Sequence, residues 1–202
     1  RWPPKQAQWW INGQKDEGLR AAHIQESGDP FMATMLRIYR EYERLCEQLG
    51  VIDFAELLLR VLELWRNNPE VLAHYQQRFG HILVDEFQDT NAVQYAWLRL
   101  LAGKSSDVTA VGDDDQSIYG WRGAKVENIL SFERDFADTE TIKLEQNYRS
   151  TSNILNAANA VIAKNADRLG KNLWTESGEG EPIALYAAFN EHDEARYIAD
   201  RL

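Results

Sequence analysis

The stretch that decides the fold is HILVDEFQD, residues 81–89, in which an apolar run is followed directly by two adjacent carboxylates. Short apolar runs followed by polar loops and helical stretches are typical of buried parallel strands. Similar runs occur at 108–111 and 141–144, and helical patterns lie between them at about 91–102 and 125–134. This alternation of strands and helices predicts an α/β fold built on a parallel sheet.

The residues before this stretch predict helices only. Asp29, which is followed by a proline, is a typical N-cap, and apolar residues then recur at three- and four-residue spacing until Gly50. Asp53 begins a second helix that extends to Arg66, and a third helix is expected to run to Gly80. This region therefore predicts an all-helical domain ahead of the sheet.

A third segment follows the predicted sheet. Its pattern predicts a helix over residues 151–164, a strand over 183–187 and a final helix near the end of the chain. We accordingly expect three domains, which are residues 1–79 (helical), 80–145 (first sheet domain) and 146–202 (second sheet domain).

Composition excludes several classes of protein. With 44% hydrophobic residues, the 202-residue chain can bury a core, unlike a disordered tail. Its one cysteine, Cys46, allows no internal disulfide, so we expect a cytoplasmic protein. No apolar window reaches the ~18 residues of a membrane span, and no membrane partner is expected. The net charge is −10, with 6 basic against 13 acidic residues in 81–145, so a broadly basic nucleic-acid surface is absent.

The first candidate site follows the strand predicted at 81–84. Ligands bind at the carboxyl ends of the strands in open α/β sheets, and Asp85 and Glu86 lie at this edge. One carboxylate there can hold Mg²⁺ against nucleotide phosphates, while the next orients and deprotonates an attacking water. The alternative is an acidic turn between strand and helix, with Asp89 as the helix N-cap.

The second candidate site is the loop VGDDDQSIYGWRGA, residues 111–124, which also follows a strand. Gln116 is an uncharged group able to sense a terminal phosphate, whereas Tyr119 and Trp121 offer flat faces for stacking bases. Stacking contributes ~1 to 3 kcal/mol per base and needs no basic surface, so the negative net charge does not exclude DNA. The alternative is a solvated acidic turn whose aromatic side chains fill a local core.

The third candidate site is LEQNYRS, residues 144–150, between a predicted strand and a helix. Arg149 could neutralise charge that develops on a transferred phosphoryl group, and Tyr148 could stack on a purine. The alternative is a surface arginine beside Ser150, which would cap the helix. Taken alone, this segment favours the alternative.

Together, the three segments resemble the signature motifs of the UvrD/Rep/PcrA family of superfamily 1 DNA helicases. DEFQDT at 85–90 resembles the Walker B motif, the loop at 112–124 the coupling motif, and LEQNYRS the arginine motif. VIDFAELL at 51–58 is similar to a segment of the family's helical insertion, called 1B. The resemblance covers effectively the whole chain. It implies a RecA-like parallel-sheet motor core preceded by an all-helical insertion domain.

The resemblance also implies roles at an ATP site. Asp85 would bind Mg²⁺, Glu86 would be the general base and Gln116 would report the γ-phosphate. Tyr148 would stack near adenine, and Arg149 would reach the γ-phosphate from the second motor domain. ATP and Mg²⁺ are thus the expected substrate and metal.

For DNA, the resemblance assigns contacts with single-stranded bases to Tyr119 and Trp121, and a DNA or coupling contact to Arg122. It implies an ATP-driven helicase with 3' to 5' polarity that acts in DNA repair. The expected partners are single-stranded DNA, junctions of single- and double-stranded DNA, and other repair proteins.

One departure from the family bears on activity. A P-loop needs the pattern GxxxxGK[ST], and neither Gly103-Lys104 nor Gly170-Lys171 has the first glycine of that pattern. We therefore expect this sequence to be a fragment of a longer helicase and to be inactive alone.

Two other interpretations stay open on the sequence. The first is a non-catalytic DNA-binding or regulatory module derived from such a helicase. The second is a metal-dependent nuclease built on Asp85, Glu86 and Asp89, which is disfavoured because no further cluster of carboxylates, histidines or lysines follows at suitable spacing.

Overall fold

The computed structural model of the chain describes residues 2–103, 106–166 and 168–202. The chain divides into two compact units, Arg1–Glu140 and Thr141–Leu202. The described helices are α1 Pro4–Asp16, α2 Pro30–Leu49, α3 Phe54–Asn67, α4 Pro69–Arg78, α5 Ala92–Ala102, α6 Glu127–Leu130, α7 Phe132–Asp135, α8 Ser152–Ile162 and α9 Glu191–Ala199. The described strands are β1 His81–Val84 and β2 Asp107–Ala110. Within this described part, no helix has both the length and the apolar character needed to cross a membrane.

Capping residues set the bounds of α2 and the start of α3, as predicted, whereas Asn68, which was expected to cap α4, makes no capping hydrogen bond with its side chain. The side chain of Asp29 accepts two backbone N–H hydrogen bonds at the start of α2, and Gly50 ends that helix in the left-handed conformation. The side chain of Asp53 accepts one backbone N–H, that of Glu56, at the start of α3. Helix α4 ends at Arg78, two residues before the predicted end at Gly80.

An ionic network joins helices α1 and α3. Lys15 is only 2% exposed, and its Nζ lies 2.7 Å from Asp53 Oδ2 and 2.8 Å from Glu56 Oε2. Arg20 donates to both carboxylate oxygens of Glu56, and Arg60 donates to one of them. Burial alone would raise the pKa of Glu56, but hydrogen bonds from Lys15 and the two arginines outweigh it and hold this pKa at about 2.

Replacing Glu56 with glutamine is expected to lower the free energy of unfolding by about 3 kcal/mol. The reason is that the buried Lys15 ammonium loses one of its two carboxylate partners and keeps only Asp53. The pKa of Glu56 lies below its ordinary value of 4.5, so its stabilisation is complete above pH 4.5 and is lost as the pH falls toward 2. Urea denaturation should therefore show a smaller difference between wild type and variant at pH 3 than at pH 7.

The matched control for this prediction is Glu63→Gln on the same helix. The Glu63 side chain is 34% exposed and pairs with Arg20, so its removal should cost no more than about 1 kcal/mol. Equal losses for the two variants, or a loss that does not depend on pH, would show that the buried network is not what stabilises these helices.

The two strands are parallel, as predicted, and Val84 lies opposite Ala110 in the register. The second strand begins one residue before the predicted range of 108–111, and it ends one residue before Val111. Val111 nevertheless donates its N–H to the carbonyl of Val84 at 2.8 Å, so the two chain segments stay paired to the end of β1.

The prediction that these strands are buried is wrong for one face of the sheet. Exposure alternates along each strand, and Leu83 is 80% exposed on the open face. The other face packs on an aromatic core in which Phe87 is fully buried, with Tyr95 from α5 and Phe132 from α7 against it. The described part of this unit supplies helices to one face only, which leaves the opposite side chains in solvent.

The two strands predicted in the second unit do not form. Residues 141–144 form no strand, and the backbone pairing closest to them is a single parallel bridge between Gln146 and Trp174. Residues 183–187 likewise adopt no strand. A strand exists only through hydrogen bonds to a neighbouring one, and apolar composition cannot supply that neighbour. In the described residues the sheet therefore has two strands, and the overall class is α/β.

The helix predicted at 125–134 is divided into α6 and α7, with Ser131 at the junction. Serine competes for backbone hydrogen bonds and favours helix ends, which accounts for the break. Helices α5, α8 and α9 form where the sequence predicted them. The predicted domain boundaries at 79/80 and 145/146 stay predictions, and the compact unit Arg1–Glu140 contains the helices and the sheet together.

Candidate functional site

The first two candidate segments lie side by side at the carboxyl edge of the sheet. Val84 and Ala110 are paired at the ends of the strands, so the chain leaves both strands at the same edge. The N–H of Phe87 donates to the carbonyl of Val111 at 3.0 Å, which ties the two loops together directly after the strands. Parallel pairing therefore brings the acidic turn and the following loop into one site.

The acidic turn presents both predicted carboxylates to solvent. Asp85 and Glu86 are exposed, and Asp85 Oδ1 accepts the backbone N–H of Glu86 at 2.9 Å. Glu86 has a φ of 50°, in the left-handed region that non-glycine residues rarely adopt. Such strain costs ~1 to 3 kcal/mol and is often found at functional sites. The turn thus directs the Glu86 side chain at an energetic cost.

A buried glutamine joins this turn to the second loop. Gln88 is 1% exposed; its Nε2 donates to Glu86 Oε2 at 2.7 Å, and its Oε1 accepts the N–H of Asp113 at 2.9 Å. Sequence reasoning assigned no role to this residue. The sequence signal for Gln88 was only that an amide stands among the carboxylates of residues 85–89. Residue spacing does not show whether that side chain points inward or toward solvent.

Gln116 is exposed on a short turn of the second loop, where its Nε2 donates to Asp113 Oδ2 at 2.6 Å. The other carboxylate oxygen of Asp113 accepts the N–H of Asp115 at 3.0 Å. Asp113 therefore holds Gln116 on one side and contacts Gln88 through its backbone on the other. The predicted phosphate-sensing glutamine and the predicted base lie on one hydrogen-bonded chain.

The carboxylates of Asp113, Asp114 and Asp115 lie within 4.8 Å of one another. Among residues 2–103, 106–166 and 168–202, this is the only group of three or more acidic, histidine or cysteine side chains close enough to hold a metal ion together. Asp85, Glu86 and Asp89 do not form such a group, which weighs against a nuclease built on them.

Tyr119, Trp121 and Arg122 form an exposed cluster farther along the loop. The rings of Tyr119 and Trp121 are 6.3 Å apart, and the guanidinium of Arg122 lies 5.5 Å and 5.0 Å from them. Trp121 is 78% exposed and Tyr119 is 36% exposed. The alternative in which these aromatic side chains fill a local core is wrong. The cluster offers flat rings and a positive charge to solvent, as a stacking surface for bases requires.

Contacts with α1 anchor the end of this loop. Directly after the loop, Lys125 Nζ lies 2.6 Å from Glu17 Oε2, and Asn91 at the start of α5 donates to the neighbouring Asp16 Oδ1 at 2.9 Å. Gly123 has a φ of 85°, and an added Cβ would lie 3.3 Å from Asp16 Oδ2. The loop therefore rests against the end of a helix that precedes the sheet by more than sixty residues in the chain.

Two capping roles considered in the sequence alternatives fall on other residues. Asn91, and not Asp89, is the N-cap of α5, with its side chain accepting the N–H of Gln94. Thr151, and not Ser150, precedes α8 as the N-cap residue. The acidic turn and the arginine segment are thus not explained by helix capping.

The third segment presents Tyr148 and Arg149 on the surface of the second unit. Tyr148 is 83% exposed and donates its hydroxyl to Gln146 Oε1 at 2.9 Å. Asn147 Oδ1 accepts the backbone N–H groups of Arg149 and Ser150, which shapes the turn. Both predicted side chains are accessible to a ligand.

Mg²⁺ fits the residues at the sheet edge. Asp85 offers an exposed carboxylate at the end of a strand, and hard divalent cations of this size prefer such oxygen ligands together with phosphate and water. The chain contains no P-loop sequence, so the cradle for the β- and γ-phosphates is not among these 202 residues.

Similarity to known proteins extends over the whole chain. The model of the UvrD/REP helicase N-terminal domain matches residues 1–137, and that of the UvrD-like helicase C-terminal domain matches 142–202. DNA helicase II from Escherichia coli (strain K12) is 63% identical over 202 residues, which are 100% of this chain and 28% of the relative. DNA helicase II from Haemophilus influenzae is 59% identical over 99% of the chain and 27% of the relative. The ATP-dependent DNA helicase PcrA from Leuconostoc citreum is 44% identical over 100% of the chain and 27% of the relative.

Proposed function

Because the chain belongs to the UvrD/Rep helicase family, we propose that it supplies half of an ATP site and part of a single-stranded DNA track to an ATP-driven DNA helicase. The chain spans 28% of the length of its E. coli relative, so this activity is proposed for the full-length protein. We further propose 3' to 5' polarity, action at junctions of single- and double-stranded DNA, a role in DNA repair with other repair proteins, and a cytoplasmic location.

The observation that carries the proposal is the pairing of two loops at one sheet edge. The acidic turn with Asp85 and Glu86 is bonded to the loop that ends in the Tyr119 and Trp121 cluster. A nucleotide-facing surface and a base-stacking surface therefore share one short loop. This arrangement supports a RecA-like motor core, with the preceding helices as the family's insertion domain.

Each residue of the proposed ATP site has a chemical task. Asp85 would hold Mg²⁺, which supplies charge neutralisation at the phosphates, and Glu86 would orient the attacking water and accept its proton. Gln116 would hydrogen-bond the γ-phosphate. Arg149 would neutralise charge on the transferred phosphoryl group, and Tyr148 would stack on adenine.

The proposed DNA contacts depend on stacking more than on charge. Tyr119 and Trp121 would stack on bases, and Arg122 would hold the two rings and contact DNA with its guanidinium. Each stacked base contributes ~1 to 3 kcal/mol, so a few contacts suffice on a chain whose net charge is −10.

We predict that the isolated 202-residue chain hydrolyses no ATP, whereas the full-length protein shows turnover stimulated by single-stranded DNA. The reason is that the phosphate cradle lies outside these residues, so ATP and its water are not held near Glu86. A coupled assay with and without oligonucleotide measures both proteins. Turnover by the purified chain would contradict the prediction, and a full-length protein without any DNA-stimulated turnover would contradict the proposed function.

A further inference from the structure

We infer that Gln88 is a positioning residue that holds the Glu86 carboxylate and links it to the loop that carries Gln116. This inference rests on the proposed function, in which Glu86 is the general base. The relevant contacts form a chain of three hydrogen bonds, from Glu86 to Gln88 at 2.7 Å, from Gln88 to Asp113 at 2.9 Å and from Asp113 to Gln116 at 2.6 Å.

The burial of Gln88 makes both of its hydrogen bonds important. Its side chain is 1% exposed, beside the fully buried ring of Phe87, so a polar end without a partner could not turn to water. A carboxylate accepts only, and a backbone N–H donates only. The amide can therefore satisfy Glu86 and Asp113 together in one orientation, with nitrogen toward the carboxylate and oxygen toward the N–H.

For Glu86, this contact fixes a side chain that solvent would otherwise leave mobile. Glu86 is exposed and lies on a turn with a φ of 50°. The bond from Gln88 reaches Oε2 and leaves Oε1 to receive the proton of an attacking water.

The same amide also contacts the second loop, residues 111–124, so its orientation depends on where that loop lies. Gly112 lies so close to Gln88 that an added Cβ would be 2.9 Å from Gln88 Oε1, which shows how tightly the loop is seated on the amide. Asp113 follows directly and holds Gln116 through its carboxylate. A shift of the loop on binding DNA would therefore move the Asp113 N–H that Gln88 Oε1 accepts, and with it the amide that orients Glu86.

The test uses Gln88→Met in the full-length protein, since methionine keeps the length of the side chain and removes both polar ends. The kcat for DNA-stimulated ATP turnover is expected to fall about 10- to 100-fold, as for a misplaced catalytic group, while the KM for ATP changes less than about threefold. Gln88→Glu is the second variant. It keeps the shape and the acceptor for Asp113, but it places a second carboxyl group against Glu86, so the two groups either repel or share a proton and kcat should fall at least as far.

A Glu86→Gln background separates positioning from a structural role. If Gln88 acts through the base, adding Gln88→Met to Glu86→Gln should lower kcat by less than about twofold, because the group it positions is already gone. Gln76→Met is the matched control. The Gln76 side chain donates to the carbonyl of Leu100, away from the acidic turn, and its loss should leave kcat unchanged.

The outcomes distinguish this inference from the proposed function. Near-normal turnover by Glu86→Gln would overturn the general-base assignment itself. If Glu86→Gln is inactive but Gln88→Met or Gln88→Glu keeps full kcat, only the positioning role is overturned. The same holds if the loss caused by Gln88→Met is as large in the Glu86→Gln background as in the wild type, since that result indicates damage to the fold.

Discussion

Replacing Glu86 with glutamine in the full-length protein is expected to lower DNA-stimulated ATP turnover by ~10² to 10⁴-fold while ATP binding is preserved. Glutamine has nearly the shape of glutamate, and its side-chain oxygen can still accept the hydrogen bond from Gln88 that reaches Glu86 Oε2. What disappears is the group that takes a proton from water. Steady-state turnover and equilibrium binding of a fluorescent ATP analogue measure the two effects separately.

The control for this prediction is Glu70→Gln, the same substitution at an exposed position in the first turn of α4. It should change neither turnover nor binding. If Glu86→Gln retains near-normal turnover, the role of general base is misassigned. If it loses ATP affinity as well as turnover, Glu86 contributes to binding or folding instead.

Replacing Trp121 with alanine is expected to weaken binding of single-stranded DNA by ~1 to 3 kcal/mol, or roughly 5- to 150-fold in Kd. The indole is 78% exposed, and it contacts only the Tyr119 ring and the guanidinium of Arg122, which lies 5.0 Å from it, among the ring contacts described above. Its removal therefore takes away a stacking face without opening a buried core. DNA stimulation of ATP turnover should fall with the affinity. ATP binding without DNA should stay nearly intact.

Trp9→Ala provides a matched control, because Trp9 is a tryptophan of comparable exposure, 72%, on helix α1. Its removal should leave DNA affinity unchanged. An equal loss of affinity for both variants would indicate a general effect of removing exposed aromatic surface, and the stacking role of Trp121 would not stand.

Much of the first unit could be predicted because its sequence signals are local. Asp29, Gly50 and Asp53 act through their own helix ends, and the apolar run before Asp85 needs only one parallel partner to become a strand. The candidate residues then follow from parallel geometry, since strand ends meet at one edge. Pairing at Val84 was enough to bring the two loops together.

The features that sequence could not predict depend on distant partners. The apolar residues at 141–144 and 183–187 satisfy the composition of a strand, but among the described residues of the second unit the parallel pairing is limited to the bridge between Gln146 and Trp174. The burial of Gln88 could not be predicted either, because it depends on hydrogen-bond partners that the fold brings next to the amide. Only the folded chain shows Glu86 on one side of it and Asp113 on the other.

Net charge is a weak guide to the ligand of this chain. The segment 81–145 holds the acidic excess, and the same segment holds the exposed rings of Tyr119 and Trp121. In the proposed function, Asp85 and Glu86 would serve Mg²⁺ and water, whereas DNA would be bound by stacking and by Arg122. Both groups lie in two hydrogen-bonded segments at one sheet edge, so the average charge of the region indicates neither ligand.

If the loop 111–124 couples the nucleotide state to the affinity for single-stranded DNA, fluorescence anisotropy of a labelled single strand shows it most directly. Affinities of wild type, Gln116→Ala and Trp121→Ala are measured with and without a non-hydrolysable ATP analogue. The account predicts that Gln116→Ala binds DNA normally without nucleotide but no longer responds to the analogue, whereas Trp121→Ala binds weakly in both conditions. Unchanged affinity in Trp121→Ala, or a normal analogue response in Gln116→Ala, would contradict it.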